Sequence, residues 1–133
     1  MPKGQTLTIH ILLIDDDRDV CKIKKAQLEL GGSFKVTVAN DPGKGLKLAK
    51  TKAPDLILLD VMMPGKDGFE VLAELKSDIR TTSIPVIMHT GVDEDGAKLH
   101  AAELYGEAYV TKTADSSSLV AAVNAVLARR PKA

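Results

Sequence analysis

Pro54-Asp55-Leu56-Ile57-Leu58-Leu59-Asp60 carries four aliphatic side chains in a row and then an acid. A strand with one wet face alternates apolar and polar residues, whereas a strand covered on both faces carries a continuous apolar run. Residues 56–59 therefore predict a strand inside a parallel sheet with helices above and below it. Residues 9–14 and 85–88 repeat the pattern, and 108–110 are a shorter version. Residues 34–39 differ, because Lys35 and Thr37 separate Phe34, Val36 and Val38. That alternation predicts a strand at the sheet edge, half exposed to water.

Helical spacing fills the intervals. Val20, Ile23, Ala26 and Leu30 recur every three to four residues, and Gly31-Gly32 closes the pattern. Residues 45–52 predict a short second helix, with Pro42 near its start and Pro54 after it. Leu72, Leu75 and Ile79 mark a third behind the turn Pro64-Gly65-Lys66-Asp67-Gly68. A fourth is predicted over 93–104, with a thin stripe of Ala97, Ala101 and Leu104. Leu119, Ala122, Val123, Val126 and Leu127 predict a fifth. Asp115 or a following serine caps it, Arg129 and Arg130 suit its C-terminal dipole, and Pro131 ends it. The fold class is α/β: a (βα)5 chain whose right-handed crossovers build a doubly wound, five-stranded parallel sheet with helices on both faces.

The 133 residues make one domain, taken as 8–130, with short tails at 1–7 and 131–133. Lys and Arg total 18 and so do Asp and Glu, giving no net charge. Phosphate-backbone binding draws on a basic excess, so nucleic acid is not the expected ligand. Aromatic residues are 3% and Trp is absent, which removes a base-stacking surface. The single cysteine, Cys21, has no internal disulfide partner and points to a reducing compartment. No apolar run approaches the roughly 20 residues of a membrane span, and residues 1–10 lack the apolar core of a signal peptide. The expected setting is the cytoplasm.

Ligands of such sheets bind beyond the C-terminal ends of the strands. Those ends read Asp15-Asp16-Asp17, Asn40-Asp41, Asp60, His89-Thr90-Gly91 and Thr111-Lys112-Thr113 in chain order. Converging carboxylates repel one another, and a hard divalent cation relieves the repulsion. A hydroxyl and an ammonium are the groups that hold the remaining oxygens of a phosphoryl group. A carboxylate beside a cation can attack phosphorus to form an aspartyl phosphate. The strand ends thus suggest magnesium-assisted phosphoryl chemistry on an aspartate. Asp17 alone suffices to cap the first helix.

Four segments, Leu12-Leu13-Ile14-Asp15-Asp16-Asp17, Pro54 through Gly68, Pro85-Val86-Ile87-Met88-His89-Thr90-Gly91 and Tyr109-Val110-Thr111-Lys112, together resemble the receiver domain of two-component response regulators, chemotaxis regulators included. The likeness runs from about Thr8 to Arg130, and it rests on the order and spacing of all four. It implies the flavodoxin-like strand order 2-1-3-4-5. It implies Asp60 as phosphoacceptor, Asp16 as a direct magnesium ligand, Asp15 as a ligand mostly through water, and the Met62 carbonyl as a further ligand. Manganese is an acceptable substitute for magnesium. Lys112 pairs with the phosphoryl oxygens, the Thr90 hydroxyl bonds one of them, and Tyr109 turns inward as Thr90 moves. The implied donor is a histidine kinase or a histidine phosphotransfer protein. The implied output is a protein target bound on the face of the fourth helix, fifth strand and fifth helix, with no DNA-binding segment and no membrane insertion. The only catalysis implied is of the domain's own phosphorylation and dephosphorylation.

The sequence departs from that pattern in places. Thr113 follows Lys112 where proline is usual, and a cis bond to a non-proline residue costs about 3 kcal/mol, so a trans bond is expected there. The Tyr105–Tyr109 stretch is one residue shorter than usual. Gly91 widens access to the phosphoryl group, while Met62 offers no base to orient water, and these act on hydrolysis in opposite directions. Two other readings stay open. In a haloacid-dehalogenase-like phosphatase, Asp15 would be the nucleophile and Asp17 the acid, with Thr90 and Lys112 after later strands. In a non-phosphorylated receiver, the domain would only bind partners. An EF-hand over Asp15-x-Asp17-x-Asp19 fails, because Val20 stands in place of the glycine and Ala26 in place of the final glutamate.

Overall fold

The computed structural model describes residues 8–61, 63, 65–90, 109–111 and 115–129. The strands are β1 (His10–Ile14), β2 (Lys35–Ala39), β3 (Leu56–Asp60), β4 (Val86–Thr90) and β5 (Tyr109–Thr111). The described helices are α1 (Arg18–Gly31), α2 (Pro42–Lys52), α3 (Gly68–Ser77) and α4 (Ser116–Ala128). The helix expected over 93–104 lies outside the described residues, so α4 is the one expected as the fifth. All strand pairs are parallel, in the order β2-β1-β3-β4-β5. The half-polar strand β2 sits at the edge, as its alternation predicts.

Side-chain alternation divides the core in two. Leu12, Ile14, Ile57, Leu59, Val86 and Met88 point to the layer of α2 and α3, meeting Leu46, Ala49, Val71, Leu72 and Leu75. Ile11, Leu13, Leu56, Leu58 and Ile87 point to the opposite layer, meeting Cys21 and Leu28 of α1 and Leu119, Val123 and Val126 of α4. Ile11 to Ile14 and Leu56 to Leu59 are each at most 1% exposed. At roughly 1.5–3 kcal/mol per buried aliphatic side chain, the two central strands form a rigid base for whatever stands at their ends.

The structure corrects the sequence reading in three helices. In α1 the face on the sheet is Cys21, Lys24 and Leu28, whereas Ile23 is 56% and Leu30 86% exposed. The inward stripe contains a lysine, whose aliphatic stem can be buried while the charge still masks the position in an apolar count. Helix α2 begins at Pro42, three residues earlier than residue 45. Asp41 caps it by accepting from the Lys44 N–H at 2.8 Å, and Pro42 needs no donor partner in the first turn. Gly45 lies inside α2, where a Cβ would press on the Ile14 side chain. Helix α3 stops at Ser77, which leaves Ile79 91% exposed. There the Thr81 hydroxyl donates to the Leu75 carbonyl at 2.6 Å, and the Asp78 carboxylate accepts from the Arg80 N–H at 2.8 Å. Those bonds close the helix end and turn the chain toward β4.

Candidate functional site

The order places β1 beside β3 at the centre, with chain entering from opposite directions on either side. This is the switch point at which open α/β sheets bind ligands. Asp15 follows β1 and continues its ladder, donating its N–H to the Ala39 carbonyl at 3.0 Å. Asp60 is the last residue of β3. By alternation both lie on the α1 side of the sheet, in line with Leu13 and Leu58. Asp15 is 0% and Asp60 1% exposed, while Asp16 is exposed. Carboxylate oxygens of Asp15, Asp16 and Asp60 lie within 4.8 Å of one another. Three residues separated by as many as 45 positions thus meet at one point, two of them inside the protein.

Neighbouring groups hold Asp15 firmly. Its Oδ1 accepts from the Asp17 N–H at 2.9 Å. Its carbonyl accepts from Asn40 Nδ2 at 2.9 Å, and the Cys21 thiol lies 3.4 Å from the same oxygen. Asn40 Nδ2 is also 3.4 Å from Cys21 Sγ. Asn40 and Cys21 therefore fix the backbone on which the acid stands. Sequence reasoning gave neither this part, because the contact joins β1, the end of β2 and one turn of α1.

Asp17 does something different from its two neighbours. Its side chain accepts from the N–H groups of Asp19 and Val20 at 3.0 and 3.1 Å and caps α1. The capping role is the one the sequence gives Asp17, while the oxygen cluster is made by Asp15, Asp16 and Asp60.

The chain after Asp60 is pinned on both sides. Val61 donates its N–H to the His89 carbonyl at 3.1 Å and accepts from the Gly68 N–H at 2.7 Å. A Cβ on Gly68 would collide with the Asp60 carbonyl and Val61 Cα. Only a glycine at the start of α3 lets the helix rest on the backbone of the acid.

The sequence analysis gives His89 no role beyond its place at a strand end beside Thr90. It is register-paired with Asp60, 1% exposed, and places Nε2 3.6 Å from Asp15 Oδ2. A histidine ending an apolar strand run was the available signal.

Thr90 ends β4 and Tyr109 begins β5, with Thr90 opposite Thr111 and Met88 opposite Tyr109. The backbone of both is thus at the predicted strands. Lys112, Met62 and the Lys112–Thr113 bond lie outside the described residues, as do Gly91 and the stretch before Tyr109.

The donor set is all oxygen, gathered from two strand ends, and half-sunk in a protein wall. It suits a hard divalent cation that keeps several waters. It suits a soft or nitrogen-seeking metal poorly.

Comparison with known proteins gives a consistent result. Residues 11–124 match the model of the response regulator receiver domain. Protein PilH of Pseudomonas aeruginosa is 36% identical over 119 residues, which is 90% of this chain and 98% of PilH. The DNA-binding dual master transcriptional regulator RpaA of Synechocystis sp. is 40% identical over 120 residues, 90% of this chain but 49% of RpaA. The chain thus spans about half of one such relative and nearly all of the other. Among solved structures, the receiver domain of Francisella response regulator 1452 superposes with a TM-score of 0.82 at 28% identity, covering 93% of this chain and 100% of that one.

Proposed function

The chain belongs to the response regulator receiver domain family, and from that premise we propose that it is a phosphorylation switch whose acceptor is Asp60. Receiver domains are signalling domains that kinases phosphorylate, and they generally bind magnesium in an acidic pocket. The observation that carries the assignment is the meeting of Asp15, Asp16 and Asp60 within 4.8 Å. In this reading Asp16 and Asp60 bind magnesium directly, Asp15 acts mostly through water, and the Met62 carbonyl completes the protein's share. Bound there, the cation supplies neutralisation of charge on the phosphoryl oxygens.

An Asp60 carboxylate oxygen attacks the phosphorus of a phosphohistidine on a histidine kinase or phosphotransfer protein. The new O–P bond forms as the P–N bond breaks, and the departing imidazole takes up a proton. Asp60 ends β3 and is 1% exposed, so its surroundings hold the carboxylate in place for the attack. Lys112 balances the transferred charge, and the Thr90 hydroxyl donates to a phosphoryl oxygen. Movement of Thr90 draws Tyr109 inward and biases the surface made by 93–104, β5 and α4 toward a protein target. Hydrolysis of the acyl phosphate returns the Asp60 carboxylate. The switch works in the cytoplasm, and its output is contact with a protein target. Among the described residues no helix is long and apolar enough to cross a membrane.

The test is uptake of phosphate from acetyl phosphate, followed by intact mass. With magnesium the protein is expected to gain one phosphoryl group, and with a chelator none. Borohydride trapping should place the group on Asp60. No uptake with magnesium, or a group trapped elsewhere, would remove the assignment.

Asp17 separates this reading from the phosphatase. As a cap, Asp17→Ser keeps an oxygen for the Asp19 and Val20 N–H groups and should leave phosphoryl uptake unchanged. Asp17→Ala should lower unfolding free energy by about 1 kcal/mol in urea titration, again with uptake intact. Loss of uptake in Asp17→Ser would favour an acid–base role instead.

A further inference from the structure

His89 closes the line Ile87–His89 on the α1 side of β4, where every preceding inward residue of the three central strands is aliphatic. A leucine would complete that wall. An imidazole in its place takes two polar nitrogens out of water, a cost repaid only by polar surroundings. Those surroundings include Asp15, itself 0% exposed, with Oδ2 3.6 Å from Nε2. The other oxygen of Asp15 accepts the Asp17 N–H at 2.9 Å.

We propose that His89 is a positioning residue of the divalent-cation site, acting on the cation through Asp15. With its proton on Nε2, the ring directs an N–H dipole at Oδ2. At 3.6 Å this is longer than a hydrogen bond, and it acts across a water-excluded gap in which the dipole is little screened. Asp15 is thereby held by a backbone N–H at one oxygen and faced by the ring N–H at the other. Its outward lone pairs are left aimed at the point it shares with Asp16 and Asp60. The same logic orients ligands in metal sites generally, where groups behind a ligand set its direction. The inference rests on the cation reading of the pocket.

Manganese serves as the probe, its free concentration read by electron paramagnetic resonance at one fixed pH. His89→Leu, which fits the apolar wall, is expected to bind manganese 10- to 100-fold more weakly than the parent. His89→Gln, whose side-chain amide reaches toward the ring Nε2 position, is expected to recover most of that loss. A wall-filling role predicts the opposite order, with leucine harmless. Equal affinity of parent and His89→Leu, or equal loss in both variants, would overturn the proposal. A measurement on the parent needs no variant: the chain has three histidines, so the His89 ring can be assigned after 15N-histidine labelling. Its Nε2 resonance should shift on magnesium addition with the same midpoint as the Asp16 amide, and an unmoved Nε2 beside a moving amide would overturn it too. A parent that binds no manganese would strike the cation reading itself and this inference with it. Tight parental binding matched by His89→Leu would strike His89 alone.

Discussion

Asp60→Asn is expected to take up no phosphoryl group from acetyl phosphate under conditions in which the parent is fully labelled. The amide has the shape of the acid but no anionic oxygen, so attack on phosphorus has no nucleophile. The same change should leave the metal-free fold as stable as the parent or more stable. Asp60 is 1% and Asp15 0% exposed, and both have oxygens within 4.8 Å of each other and of Asp16. Like charges at that separation repel by roughly a few kcal/mol at a protein-like effective dielectric. Removing one should raise unfolding free energy by about 1–2 kcal/mol in chelator. Magnesium should stabilise the variant less than the parent, because binding linkage scales with affinity. Intact mass and thermal melts with and without magnesium measure all three effects. A variant that still takes a single label would move the acceptor to another residue. A variant that loses both the label and the fold would make Asp60 structural.

The sheet was legible because its two central strands are buried on both faces. No alternation disguised Leu12–Ile14 or Leu56–Leu59, and the acids that follow them could be placed by the rule that parallel sheets bind at their C-terminal edge. Strand β2 was legible for the opposite reason, its alternation marking an edge. Helix faces were harder. In α1 the inward stripe includes Lys24, 3% exposed, and an apolar count passes over a lysine. The result is an expected stripe one to two residues out of phase, which places Ile23 and Leu30 in solvent. Ile79 fitted helical spacing, but Asp78 and Thr81 end α3 through side-chain bonds that a periodicity count ignores.

Within the site, identities were easier than supports. Asp15, Asp16 and Asp60 stand in motifs, whereas the Asn40 and Cys21 contacts to the Asp15 carbonyl cross 25 and 6 positions of chain and depend on how α1 leans on β2. His89 is the clearest case. From sequence, the last residue of an apolar run is as easily a loop residue as an interior one. Only the pairing of Asp60 with His89 decides that the ring points inward, toward Asp15.

Gly68→Ala tests whether α3 positions the acceptor, and its expected effect is large. Alanine favours a helix over glycine by up to about 1 kcal/mol, so propensity alone predicts stabilisation. Sterics oppose it. The new Cβ would run into the Asp60 carbonyl and Val61 Cα, which are backbone atoms and cannot rotate aside as a side-chain tip does. The bond from the Gly68 N–H to the Val61 carbonyl, 2.7 Å, holds the helix start against that backbone. Relief requires α3 to back away or the end of β3 to shift. With overpacking at roughly 1–3 kcal/mol or more, the net loss should be about 2 kcal/mol and the melting temperature should fall by roughly 5–10 °C. Displacement of the acceptor by a fraction of an ångström should also slow labelling by acetyl phosphate about tenfold or more. Gly65→Ala is the matched control. Its φ of +81° strains any side chain, but nothing lies within 4 Å of the added Cβ. It should cost about 1 kcal/mol of stability and leave the labelling rate alone. If both substitutions lower stability equally and neither slows labelling, the contact between α3 and the end of β3 supports the fold without aiming Asp60. A labelling defect confined to Gly68→Ala would show that one missing methyl group keeps the acceptor in register with Asp15 and Asp16.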